Sequence, residues 1–314
     1  MSFVVALALA STPSHAQEPT PVEEPAPTPR WRFKQADKPV KVVVLAGSIG
    51  AFPKQPYAKE IARLCKNVEV HNLSKVGEGA WGLERRFRDQ VLENPHLRLR
   101  DEAQEHWLLY GGGLNSVGTP HSTNKHMRDL FVMAHEHGFE VVALSLTPWG
   151  DVADKRWRGH KGLEYKRVTQ AVVDYTMKRT TPEQALAGYA RKRPGGSAAA
   201  WEPRELPDVA VDLYDSPLRD RDATPLDLDA ARESLARDKT WKQLHAKLDD
   251  AARAARLEQD AKAAAELPKW FMRKELRSFD HIHPNAEGHR LMAAVACPSL
   301  PASWGCTCEP IETK

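Results

Sequence analysis

The chain has 314 residues, 41% hydrophobic and 28% charged, with 45 Lys and Arg against 42 Asp and Glu. That balance suits a soluble globular protein able to bury a sizeable core. A net charge of +3 excludes the strongly basic field that nucleic-acid binders carry, so no nucleic-acid partner is expected.

Residues 1–16 join an apolar run, Phe3 to Ala10, to the small-residue pattern Ser14-His15-Ala16, which reads as a secretory signal cleaved before Gln17. The run is too short to span a bilayer, so the mature chain is expected to have no membrane span. Residues 17–36 are rich in Pro and Glu and read as an extended tether. The folded body is expected over 37–314, exported to a periplasmic or extracellular space.

"KPVKVVVLAGS" has five apolar residues in succession from Val42 and reads as a strand buried on both faces. "PYAKEIARLC" spaces Tyr57, Ile61 and Leu64 as one stripe of a helix, and "NVEVHNL" reads as a second strand. "LERRFRDQVLEN" is an amphipathic helix, and "HWLLYGGG" a third strand ending in three glycines. A helix follows, with Thr123 or Asn124 as its cap and Gly138 as its stop. "FEVVALSLTP" is a fourth strand and "DVAVDLYDS" a fifth. Between them, "EYKRVTQAVVDYTMKR" is helical, and Pro225 to Pro268 reads as one long helix or a helical hairpin with a solvated, charged face. Alternation of strand and helix predicts an α/β fold with a mostly parallel five-stranded sheet, and a helical insertion over about 151–268.

In such a sheet, ligands gather beyond the C-terminal strand ends. There the sequence delivers Gly47-Ser48, then Gly77 and Gly79, then Gly111-Gly112-Gly113-Leu114-Asn115. Near the C-terminus, "FDHIHPNAEGHRLMAA" places Asp280 three residues before His283, the spacing of a single turn. A hydroxyl, a base, a carboxylate to orient it and donors for an oxyanion are the parts of acyl transfer. Pro284 restricts His283 to extended backbone, and Asn285 is placed to cap the following helix. His281, one residue removed from its neighbours, is expected at the cleft rim or in solvent, and His289 is expected to be structural.

Four segments in order, "LAGSIGA", "NLSKVGEGAW", "GGGLN" and "DHIHP", resemble the blocks of the SGNH (GDSL-type) hydrolase family. The resemblance covers about 40–150 and 205–296. It implies a three-layer α/β/α, flavodoxin-like fold with no cofactor and no metal, acting on esters that include O-acetylated glycans and lipids. It also implies Ser48 as nucleophile, His283 as base and Asp280 as its orienter. The backbone N–H groups of Ser48 and Gly79, with Gly77 as the substitute for Gly79, and the Asn115 amide would form the oxyanion hole. Two positions depart from the family: Gly47 stands where Asp precedes the nucleophile, and Ser116 where Asp follows the asparagine.

Two other readings compete. Asp280, His281 and His283 resemble a metallohydrolase ligand cluster, and His135-Glu136-His137 offers a further His-x-His pair. A glycan or cell-envelope binding module on the same fold would use Trp81, Trp149, Trp157 or Trp201 as stacking surfaces, although core or rim packing is the commoner use of such residues. Among Cys65, Cys297, Cys306 and Cys308, one C-terminal disulfide is expected, from Cys297 to Cys306 or Cys308.

Overall fold

A computed structural model describes residues 39–53, 56–93, 104–189 and 200–311. The expected signal and tether, and most of the loop before Trp201, lie outside the described residues.

Five strands form one parallel sheet: β1 (Val40–Ala46), β2 (Val68–Asn72), β3 (Glu105–Gly111), β4 (Glu140–Leu144) and β5 (Val209–Val211), in the order β2-β1-β3-β4-β5. β1 is buried along its whole length, as its apolar run requires of a central parallel strand. Its alternate residues enter two cores. Val43 and Leu45 meet α2 (Ala80–Phe87), α3 (Pro120–Glu136) and α4 (Gly159–Thr176) on one face, while Val42, Val44 and Ala46 meet α1 (Tyr57–Leu64) and α9 (Ala286–Ala296) on the other. The result is the expected three-layer α/β/α architecture. Strand order reverses between β1 and β3, so the loops leaving these strands diverge and open a crevice between them.

Local chemistry moved several boundaries. α3 begins at Pro120, whose fixed φ suits a first helical position, and not at Thr123 or Asn124. Thr123 instead donates to the Ser116 carbonyl (2.6 Å), and buried Asn124 donates to the Ala185 carbonyl (3.2 Å) at the end of α5 (Pro182–Ala185). α2 starts before Leu83 and runs into a π-turn over Arg88–Leu92.

The stretch 225–268 is neither one helix nor a simple hairpin. It breaks into α6 (Leu228–Arg237), α7 (Lys239–Leu244) and α8 (Asp250–Ala265), because Asp227, Asp238 and Asp249 each accept backbone N–H groups of the turn that follows. An aspartate that can cap is better placed at a helix start than inside one. α6 and α8 pack on each other and on α4, and buried Trp241 donates its indole N–H to Asp260 (2.8 Å). Within the interval 151–268, expected as an insertion, α4 covers a face of the sheet and β5 is its fifth strand, while α6–α8 follow β5 and pack on α4.

Two disulfides close the C-terminal segment. Cys297 pairs with Cys308, and Cys65 pairs with Cys306 across 241 residues. The second bridge was not expected, because no spacing rule links cysteines so far apart in sequence.

Candidate active site

Ser48 follows β1 by two residues, and His283 lies in a turn that leads into α9. The structure brings them together: His283 Nε2 is 2.7 Å from Ser48 Oγ, and His283 Nδ1 is 2.5 Å from Asp280 Oδ2. With the ring proton on Nδ1, donated to Asp280, Nε2 accepts from the Ser48 hydroxyl. Asp280 Oδ1 accepts the backbone N–H groups of Ile282 (2.9 Å) and His283 (3.0 Å), so the carboxylate is fixed from both sides. Burial pushes its pKa up, but those two N–H groups and the His283 ring outweigh burial and hold it below the ordinary carboxylate value.

Local backbone places the turn. His281 adopts a left-handed φ of 63°, and its N–H donates to the Ser278 carbonyl (3.2 Å). Asn285 accepts from the Gly288 N–H (3.0 Å) and so caps α9. The turn is also fastened to the loop after β4, since the Gly150 N–H donates to the His281 carbonyl (2.8 Å). Arg277, with a side chain only 7% exposed, donates to the Gly150 carbonyl and to Asp151 Oδ2. Sequence reading missed Arg277 and Asp151, because a pair 126 residues apart leaves no spacing signal.

Beside Gly47, Asn115 Nδ2 donates to the Glu78 carbonyl (3.0 Å), which leaves its second amide hydrogen uncommitted by that bond. The backbone N–H groups of Ser48 and Gly79 meet no acceptor among the described residues. Gly79 abuts Ser116, where an added Cβ would lie 3.1 Å from the Ser116 Cβ, whereas Gly77 has open space around it. The geometry thus sets Gly79, and not Gly77, beside Asn115 and Ser116.

Both departures from the family pattern have local explanations. A Cβ at Gly47 would lie 2.8 Å from Asn115 Nδ2 and 3.1 Å from the Glu78 carbonyl, so in this chain the asparagine amide and the Glu78 backbone close over that position. Ser116 accepts the Ala80 N–H (3.1 Å) and donates to the Gly113 carbonyl (3.3 Å), and so ties the start of α2 to the Asn115 turn. Gly113, at φ 107°, needs glycine.

The competing ligand cluster is not assembled. Both ring nitrogens of His283 are engaged by Ser48 and Asp280, while His281 Nδ1 faces Asp151 at 3.9 Å. His135 bonds the Arg204 carbonyl and Asp208. Glu84, His126 and Asp129 do form a ligand-like group among the described residues, but Arg88, Lys125 and Arg128 pair with its carboxylates. Of the tryptophans, Trp149 and Trp157 are buried against each other and Trp201 donates to the Thr180 carbonyl; Trp81 is exposed with Arg85 over its ring. His289 is fully buried, accepts the Tyr57 N–H (3.3 Å) and stacks on Phe52, as a structural residue should.

No protein-family model and no curated protein matches the sequence. Among solved structures, the chain is similar to a lipolytic protein of the G-D-S-L family from Veillonella parvula (12% identity, 82% of this chain and 96% of that one, TM-score 0.43). It is also similar to a GDSL-like lipase from Bacteroides thetaiotaomicron (12%, 81% and 84%, TM-score 0.43). A third is an acetyl xylan esterase from Geobacillus stearothermophilus (11%, 87% and 98%, TM-score 0.39).

Proposed function

We propose that this chain is an exported serine hydrolase that cleaves carboxylic esters through Ser48, His283 and Asp280. The observation that carries the reading is the continuous hydrogen-bonded line from Ser48 Oγ through the His283 ring to Asp280, at 2.7 and 2.5 Å.

In this reading His283 Nε2 takes the proton of Ser48 as Oγ adds to the ester carbonyl, and Asp280 steadies the imidazolium that forms. The N–H groups of Ser48 and Gly79 and the Asn115 amide receive the negative charge on the carbonyl oxygen. Collapse expels the alcohol, which takes the proton from His283, and leaves an acyl-Ser48. Water, deprotonated by His283, then releases the acid and restores the hydroxyl. Short-chain acyl esters, lipid esters and O-acetyl groups of glycans all satisfy this chemistry.

Export is supported by the reading of residues 1–36 and by the two disulfides, which persist in oxidising compartments. A fluorophosphonate should label the purified protein at Ser48 and abolish p-nitrophenyl acetate hydrolysis, and EDTA should not. An unlabelled protein, or one whose turnover survives Ser48→Ala, would overturn the proposal.

A further inference from the structure

Two side chains at the start of α2 stand apart from the rest of the molecule. Trp81 is 59% exposed, the only exposed tryptophan among the described residues. Arg85 is exposed as well, and among the described arginines it is the only one with no carboxylate, carbonyl or side-chain amide as acceptor. The two meet: the Arg85 guanidinium lies 5.0 Å from the centre of the Trp81 ring. Asp89 stands four residues after Arg85, the usual spacing of a helical ion pair, yet the guanidinium turns back to the indole. Such a stack leaves the N–H edge of the guanidinium free to donate.

Helix geometry aims this pair at the reaction site. Trp81 is the second residue of α2 and Arg85 follows one turn later, on the face opposite Leu83 and Phe87, which are buried against the sheet. Side chains on a helix lean toward its N-terminus, so Arg85 covers Trp81, and Trp81 covers the chain just before it. That chain is bonded to the Asn115 turn twice: the Glu78 carbonyl accepts from Asn115 (3.0 Å), and the Ala80 N–H donates to Ser116 Oγ (3.1 Å). Gly79, between them, is the oxyanion donor of the reading above. The approach is open, since an added Cβ at Gly77 would meet nothing within 4 Å and Val76 is 71% exposed. The neighbouring carboxylates are taken, Glu78 by Lys75 (3.2 Å) and Glu84 by His126 (2.6 Å). In the loop fastened to the Asp280–His283 turn, Arg156 also lies over a tryptophan, Trp149 (5.4 Å), but Asp154 accepts from it at 2.8 and 3.1 Å. The charge of Arg156 is answered within its own loop, and that of Arg85 is not.

We propose that Trp81 and Arg85 bind a negatively charged group on the ester attacked by Ser48, a carboxylate accepting from the guanidinium while the flat part beside it lies along the indole. The inference rests on the serine hydrolase reading and narrows it from esters in general to those that carry a negative charge near the scissile bond. Neither residue takes part in the proton transfers, so the pair sets preference and not the rate of the chemical step.

The test uses the full chain and two matched pairs of esters. 4-Acetoxybenzoate and its methyl ester differ by one charge on the alcohol side, and mono-4-nitrophenyl adipate and its methyl ester differ by one charge on the acyl side. The readout for each pair is kcat/KM for the charged member divided by kcat/KM for the neutral one. Arg85→Gln should lower that ratio by about tenfold or more in at least one pair, the scale of a lost charge-assisted hydrogen bond, and leave the neutral esters unchanged. The pair that responds identifies the side of the ester that faces α2. Trp81→Ala should lower the same ratio, and Arg85→Lys should retain part of it. Added salt should shrink the preference of the wild type and not that of Arg85→Gln. Calorimetric binding of the charged esters to Ser48→Ala gives a readout without turnover and should weaken when Arg85→Gln is added. Arg85-dependent binding with no hydrolysis in the wild type would sink the hydrolase reading and leave the anion site standing. An active enzyme whose ratios are the same with and without Arg85 in both pairs, or whose neutral esters lose as much as the charged ones, would overturn the anion site.

Discussion

At the rim of the sheet, each chemical group is positioned by backbone geometry: a strand end before Ser48, a left-handed residue beside Asp280, a left-handed Gly113 ahead of Asn115. In the α6–α8 group, aspartate caps set the helix ends, and the helix interiors are alanine and charged residues with few large apolar anchors. In the first region the polar groups are held by bonds to the backbone. Rate should therefore depend on the rim.

The sharpest way to break that contrast is at the triad. Ser48→Ala or His283→Ala should lower kcat by about 10⁴-fold or more, measured on p-nitrophenyl acetate. Asp280→Asn should approach the same loss, roughly 10³–10⁴-fold, because among the described residues His283 Nδ1 has Asp280 as its partner and the amide would favour the wrong ring tautomer. Asn115→Ala should cost about 10²–10³-fold in kcat with little change in KM, as for one oxyanion donor. If it costs nothing, the amide is occupied by Glu78 throughout turnover and the hole is backbone alone.

Arg277→Met probes the fastening of the Asp280–His283 turn to the loop after β4. It should lower kcat on the order of 10–100-fold by loosening the turn that carries Asp280 and His283. Arg277→Lys should restore part of this, whereas a purely structural role would lower Tm and leave kcat unchanged. A smaller effect concerns His289, whose burial, with His283 nearby, pushes its pKa down to about 4. The unfolded chain binds this proton near pH 6.5 and the folded chain only near 4. Stability from this site is therefore complete above about 6.5, is lost as pH falls toward about 4, and amounts to about 3 kcal/mol over that window. Chemical denaturation at pH 7 and pH 5 should show the loss in the wild type and a reduced loss in His289→Leu.

Much of the rim was legible because its residues answer to local rules. A buried apolar run ending in Gly-Ser, a Gly-Gly-Gly-Leu-Asn turn and Asp-x-x-His-Pro before a capped helix each state a backbone requirement that sequence alone displays. The helix breaks at Asp238 and Asp249 were less so, since aspartate on a charged face and aspartate at a cap look alike until the chain turns. Arg277 with Asp151, and Cys65 with Cys306, were not legible at all. Their pairing depends on how the sheet brings distant loops together, which no periodicity encodes.

The bridge from Cys65 to Cys306 has a consequence for biogenesis. Cys65, at the end of α1, must wait for 241 further residues to be synthesised and delivered before its partner exists. Oxidation at this position is thus a late, sealing event, and while it waits the thiol is exposed to capture by Cys297, which is made first. A compartment that shuffles mispaired thiols would raise the yield of active molecules without altering the turnover of any one of them.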